Sequence, residues 1–202
     1  MNGKLGKNNR IAQMALMGLL TAVMIILGLV NIPMPFGLSI TFNMIPVAIA
    51  GMAMGLWGGA AMGGVFGMIS FLQCFGILGY SGMGATLVSV APWWMSLIQR
   101  FGTRVLMGLC TALIYRLLGE KMPIGIRCGI TGFFSAFLNT LFFMSALVLL
   151  FGHTEYMQNA MAGRAFLAYL VGSVGINGLV EMATATLLTG AIGVALRKAR
   201  MI

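Results

Sequence analysis

The chain has 202 residues, of which 60% are hydrophobic and only 7% charged, with a formal net charge of +9. That balance excludes a water-soluble globular domain and identifies an integral membrane protein. The basic excess does not point to nucleic acid, because Lys and Arg are scattered between apolar segments, with no stripe and no interleaved aromatics.

A hydrocarbon layer of about 30 Å takes roughly 20 apolar residues per helix, so about six crossings fit in one membrane domain, residues 1–202, without soluble appendages. The expected fold class is an all-α bundle of six transmembrane helices. The opening "MNGKLGKNNRIAQMALMGLLTAVMIILGLV" imitates a signal peptide, but its apolar run is too long and lacks a convincing cleavage site. It is taken as a first helix, about 11–30, ended by the two prolines of "NIPMPFG". The second helix is expected at about 41–54, with Pro46 one turn inside its start, where a missing backbone donor costs least. "GLWGG" then turns the chain into a third helix, about 58–77. The glycine-rich "GILGYSGMGATLVSVAPWW" has no clear period and reads as a long loop with a short helical piece. The fourth, fifth and sixth helices are expected at about 97–118, 126–151 and 174–196.

Orientation follows from the rule that Lys and Arg gather on the cytoplasmic side. Lys4, Lys7, Arg10, Arg116, Lys121, Arg127, Arg197, Lys198 and Arg200 fall on one side of a six-helix chain. Only Arg100, Arg104 and Arg164 lie toward the other, which makes both termini cytoplasmic.

With direction assigned, the polar residues converge on the outer half at 1.5 Å of rise per residue. Asn43, Gln73, Arg100, Arg104, Asn139, Asn177 and Glu181 are the candidate ligand-binding residues. A charge at the bilayer centre costs roughly 2.5 kcal/mol or more, so Glu181 should face a polar pocket. The alternative is an ion pair with Arg100 or Arg104 that only holds helices together. Two guanidiniums one turn apart suit a carboxylate or phosphate, or else snorkel to the interface. The amides serve the pocket or simple interhelical hydrogen bonds. Trp93 and Trp94 suit an interfacial aromatic belt or a lid.

Small residues mark two faces. Gly59, Gly63 and Gly67 are expected to close an internal helix contact. Ala15, Gly18 and Ala22 on the first helix offer a stripe for an external membrane partner. No G-x-x-x-x-G-K-[ST] loop is present, so the chain has no ATP site of that kind. His153 and Glu155 are too few to hold a metal, and no acid, base and nucleophile converge. Cys74, Cys110 and Cys128, odd in number and widely spaced, are read as packing residues. Neither an enzyme nor a cofactor is expected.

The segment "ITFNMIPVAIAGMAMGLWGGAAMGGVFGMISFL" resembles the second and third helices of the substrate-binding S components of energy-coupling factor (ECF) vitamin transporters. "TRVLMGLCTALIYRLLG", "FLNTLFFMSALVLLFG" and "INGLVEMATATLLTGAIGVAL" are similar to later helices of that family, and Gly18-x-x-x-Ala22 stands where it has A-x-x-x-A. The resemblance implies a plasma-membrane protein of a prokaryote that captures a vitamin or precursor from outside without pumping by itself. A transmembrane T subunit and two cytoplasmic ATPase subunits would supply the energy, and the S component would topple to release its cargo inward.

The fifth and sixth segments look most like the subgroup predicted to carry pantothenate, an anion that suits Arg100 or Arg104. Glu181 would suit an amino-heterocycle better: hydroxymethylpyrimidine, a pteridine or folate, or a queuosine precursor. A self-sufficient carrier and a structural membrane protein are the readings outside this class.

Overall fold

The computed structural model describes residues 10–29, 32–33, 39–161, 166–199 and 201–202. Helices dominate: α1 (Arg10–Leu29), α2 (Met44–Leu72), α3 (Gly82–Val90), α4 (Trp93–Leu97), α5 (Thr103–Leu117), α6 (Ile124–Phe151), α7 (Glu155–Met161) and α8 (Phe166–Lys198). The only sheet among the described residues is a two-residue antiparallel pairing of β1 (Ile32–Pro33) with β2 (Ser39–Ile40). Among the described residues five stretches are long and apolar enough to cross a membrane. Leu149, Leu187 and Leu117 are each more than 70% exposed, a surface that requires lipid rather than water around it.

The helix α1 buries a single stripe, Leu16, Leu20, Met24 and Gly28, at the four-residue spacing that aligns side chains on one face. The helix expected from residue 41 begins instead at Met44, and the Thr41 amide just before it donates to Glu181 Oε1 at 2.9 Å. Within α2 the helix breaks at Gly55, whose φ of 72° and ψ of −155° suit a residue without a Cβ. The chain folds back so sharply there that a Cβ at Gly58 would lie 2.6 Å from the Ala50 carbonyl oxygen. The turn expected at "GLWGG" is therefore a corner at one glycine, with no intervening loop.

The second arm of α2 ends at Leu72, short of the expected residue 77. A 3₁₀ turn, Gln73–Phe75, follows, and Gln73 O accepts from the amides of Gly76 and Ser81. The segment without a clear period contains α3, capped by Ser81 Oγ accepting from Gly84 N, and the short α4. From Trp93 to Leu117 the span is continuous, but residues Ile98–Gly102 form a π turn between α4 and α5. The helix α7 lies where a loop was expected, and α8 begins eight residues earlier than position 174.

Two seams of small residues hold the bundle. Gly59, Gly63 and Gly67 lie against the backbone of α5 and the π turn, opposite Gly108, Arg104 and Arg100 respectively. Falling numbers on one side against rising numbers on the other make the pair antiparallel. This is the internal contact expected of those glycines. In the second seam Gly132 of α6 meets Ala185 and Thr189 of α8, and Gly193 meets Cys128. At the far end of α5, Arg127 donates from Nε and Nη2 to Tyr115 O at 3.1 and 2.9 Å. It thereby satisfies a carbonyl that the helix end leaves without a partner.

Candidate functional site

The first glycine seam sets the depth of both arginines. A Cβ at Gly63 would collide with the Arg104 carbonyl, and one at Gly67 would lie 2.9 Å from that of Arg100. Only a bare backbone on α2 lets the π turn and α5 approach so closely. Both guanidiniums are then buried, at 3% and 6% exposure.

Arg100 is largely occupied. Its Nη1 donates to Ser70 O at 3.1 Å and Ser70 Oγ at 2.8 Å, and its Nη2 to Ser81 Oγ at 3.2 Å. It thereby fastens the start of α3 to the end of α2. Arg104 is held differently: its guanidinium carbon lies 4.7 Å from the Phe66 ring centroid and 4.5 Å from that of Phe143. Stacking on aromatic rings supports the cation and leaves the in-plane N–H edge available. Its Nη1 donates to Thr103 Oγ1 at 3.2 Å, and Nε has no partner.

Glu181 does not pair with either arginine. Its Oε1 accepts from Thr41 N, tying the segment before α2 to α8, while its charge and that of Arg104 still act on each other. Of the chain's three carboxylates it alone is buried, since Glu120 and Glu155 are exposed. At this end of the bundle two buried guanidiniums against one carboxylate leave one positive charge in excess; the third buried arginine, Arg127, lies at the far end of α5.

The candidate amides occupy different positions. Asn43 and Asn139 are buried, each with an unpartnered Oδ1. The α6–α8 register, carried two turns beyond Gly132, sets Asn139 level with Gly178 and Glu181. Gln73 spends its Nε2 on Gly28 O at 3.1 Å and Leu78 O at 3.2 Å, bracing the turn after α2 against α1. Asn177 lies within α8, but its side chain falls outside the described residues. Trp93 and Trp94 are 58% and 49% exposed at the start of α4. Ala15, Gly18 and Ala22 are all exposed on α1, and nothing stands within 4 Å of a Cβ built at Gly18.

Sequence reasoning missed the residues that hold this arrangement. Ser70, Ser81 and Thr41 act through hydrogen bonds that only the fold reveals. Gln99 was also missed, although it directly precedes Arg100 and is fully buried.

A chain of apolar spans around a buried cationic site is a multi-pass membrane protein of the solute-binding kind. Residues 12–193 match the sequence model of the family described as "ECF transporter, substrate-specific component", and the chain belongs to that family. It is similar to the pantothenic acid transporter PanT of Lactococcus lactis subsp. cremoris (strain MG1363). The two are 27% identical over 218 residues, covering 96% of this chain and 98% of that protein.

Proposed function

We propose that this chain captures pantothenate from outside the cell for uptake driven by an ECF T subunit and two ATPase subunits. The observation that carries the reading is the excess buried positive charge at Arg100 and Arg104. An unpaired charge in a low-dielectric interior is costly, and a monoanionic ligand offsets it. The full-length similarity to PanT of Lactococcus lactis supports the same solute.

Arg104 is the principal anchor for the carboxylate, because its Nε and in-plane edge are the less committed of the pair. Arg100 adds charge and holds α3 beside the site. Asn43, Asn139 and Asn177 serve the ligand's hydroxyls and amide, and Gln73 has its Oε1 left to contribute. Glu181 holds Thr41 in place, which explains a carboxylate near an anion site: it orders the lining and leaves the ligand's carboxylate to the arginines.

The topology that fits this role has six crossings, counting the two arms of α2 separately, with both termini cytoplasmic, in the plasma membrane of a prokaryote. The first arm, residues 44–54, rises only about 16 Å, so that crossing is completed by the extended residues before it. Ala15, Gly18 and Ala22 form the face for the membrane partner. Their exposure supports close approach of another helix.

The test is thermal unfolding of the purified chain, without partners, against pantothenate, hydroxymethylpyrimidine, folate, riboflavin, biotin and queuosine precursors. At a hundred times its dissociation constant a ligand adds about 2.7 kcal/mol of stability. A shift with pantothenate supports the reading, and a shift with an amino-heterocycle alone replaces it. Uptake by this chain in the absence of partner subunits would indicate a self-sufficient carrier.

A further inference from the structure

Five of the eight buried side-chain polar atoms without a partner among the described residues lie between Ser96 and Arg104: Ser96 Oγ, Gln99 Nε2 and Oε1, Arg100 Nε and Arg104 Nε. This stretch spans the π turn Ile98–Gly102, a local widening of the helix found disproportionately at functional sites. Not all of these atoms signal a ligand. The hydroxyl of Ser96, like that of Thr111 in α5, can rotate to a carbonyl one turn back on its own helix, so its unpaired state is easily relieved.

Gln99 has no such outlet. It is 0% exposed, and among the described residues it is the one amide whose donor and acceptor are both buried without a partner. Asn43 and Asn139 leave only Oδ1 in that condition. Burying both ends of an amide away from water is among the costlier things a membrane-embedded fold can do.

The position of Gln99 is tied to the arginine site. Thr103 Oγ1 donates to the main-chain carbonyl of Gln99 at 2.5 Å and accepts from Arg104 Nη1 at 3.2 Å, so one hydroxyl links the backbone at Gln99 to the Arg104 guanidinium. An amide with both ends free matches a ligand that offers one donor and one acceptor on the same side. A trans secondary amide alone does not, because its N–H and C=O point in opposite directions, but an amide carbonyl with a hydroxyl on the adjacent carbon does. Pantothenate carries that pair, separated by the amide nitrogen and two methylenes from the carboxylate assigned above to the arginines.

We propose that Gln99 is a specificity-determining residue of this site that contacts the ligand, its Nε2 donating to the ligand's amide carbonyl and its Oε1 accepting from the hydroxyl on the adjacent carbon. The proposal rests on the pantothenate reading and adds to it the residue that distinguishes this solute from other small carboxylates. It also makes the apo site a stored cost: Gln99 is more stable with ligand than without.

The experiment compares the wild-type chain with Gln99→Met, which keeps side-chain length and volume but removes both polar ends. Pantothenate affinity is measured by calorimetry, and the unfolding temperature is measured without ligand. The expected result is at least a tenfold loss of affinity, together with an unfolding temperature equal to or above that of the wild type. Affinity within threefold of wild type overturns the proposal, as does a lowered unfolding temperature with unchanged affinity, the mark of a structural hydrogen bond. Should Gln99→Met fail to fold, Gln99→Leu, also uncharged and without polar ends, is read by the same affinity criterion. If the wild-type chain itself fails to bind pantothenate, the functional reading falls and this proposal with it. If the wild type binds and the variants bind equally well, only the role of Gln99 falls.

Discussion

The α2–α5 seam and the α6–α8 seam are both antiparallel helix pairs closed on glycine, yet they leave their polar groups in opposite conditions. In the second, Thr189 Oγ1 lies 3.0 Å from Cys128 O and 2.5 Å from Ala185 O, and the contact is polar but satisfied. In the first, the glycines press the α2 backbone against the stretch carrying Gln99, Arg100 and Arg104, whose free nitrogens and amide have no protein partner. Close packing of small residues is therefore used once to finish a structure and once to hold charges at a required depth. The difference lies in what the facing helix carries.

The largest expected effect comes from breaking the first seam. Gly63→Val drives side-chain atoms into the Arg104 carbonyl and should lower stability by about 3 kcal/mol or more, read as a fall in unfolding temperature. Gly64→Ala is the control. A Cβ there stands 3.4 Å from the Phe101 ring, an ordinary contact, and stability should stay within about 0.5 kcal/mol.

Next in size is the loss of a charged partner for the ligand. Arg104→Gln should weaken pantothenate binding by about 1.5–3 kcal/mol, roughly ten- to a hundredfold, in calorimetry. Arg100→Gln should weaken binding and also speed proteolysis within residues 78–96, because the bonds to Ser70 and Ser81 go with it.

A smaller effect is expected at Glu181. Glu181→Gln exchanges a charged acceptor for a neutral one at Thr41 N, costing about 1 kcal/mol of stability. Pantothenate affinity should hold or improve, since a negative charge near Arg104 is removed. A fall in affinity would indicate that the carboxylate contacts the ligand, as an amino-heterocycle requires.

The smallest effect on the isolated chain is expected at Gly18→Leu, where the added side chain meets nothing. Stability and ligand affinity should be unchanged, while co-purification with the T and ATPase subunits should drop.

The membrane class, most helix positions and the internal role of Gly59, Gly63 and Gly67 were legible from composition and spacing, because lipid imposes a length and an apolar content on each span. Arg100 and Arg104 were legible as a pair for the same reason: charges are rare in such spans. The partners of Gln73 were not, since they are backbone carbonyls, one of them on α1, that no side-chain pattern announces. Gln99 escaped notice because the fourth helix was expected to begin at Leu97, where an amide reads as a group at the water interface. The span actually starts at Trp93 and winds through a π turn, a backbone choice set by packing against α2 and invisible in residue type. The corner at Gly55 was visible as a glycine cluster, but its tightness depends on a single left-handed φ.

On the proposed function, buried arginine charge anchors the ligand's carboxylate. The most direct measurement is calorimetric binding of pantothenate and of pantothenol, the same molecule with an alcohol in place of the carboxylate, to the wild-type chain and to Arg104→Gln. The wild type should prefer pantothenate by about tenfold or more, and the variant should lose this preference. Equal affinity of the wild type for both compounds, or a preference that survives in Arg104→Gln, would contradict it.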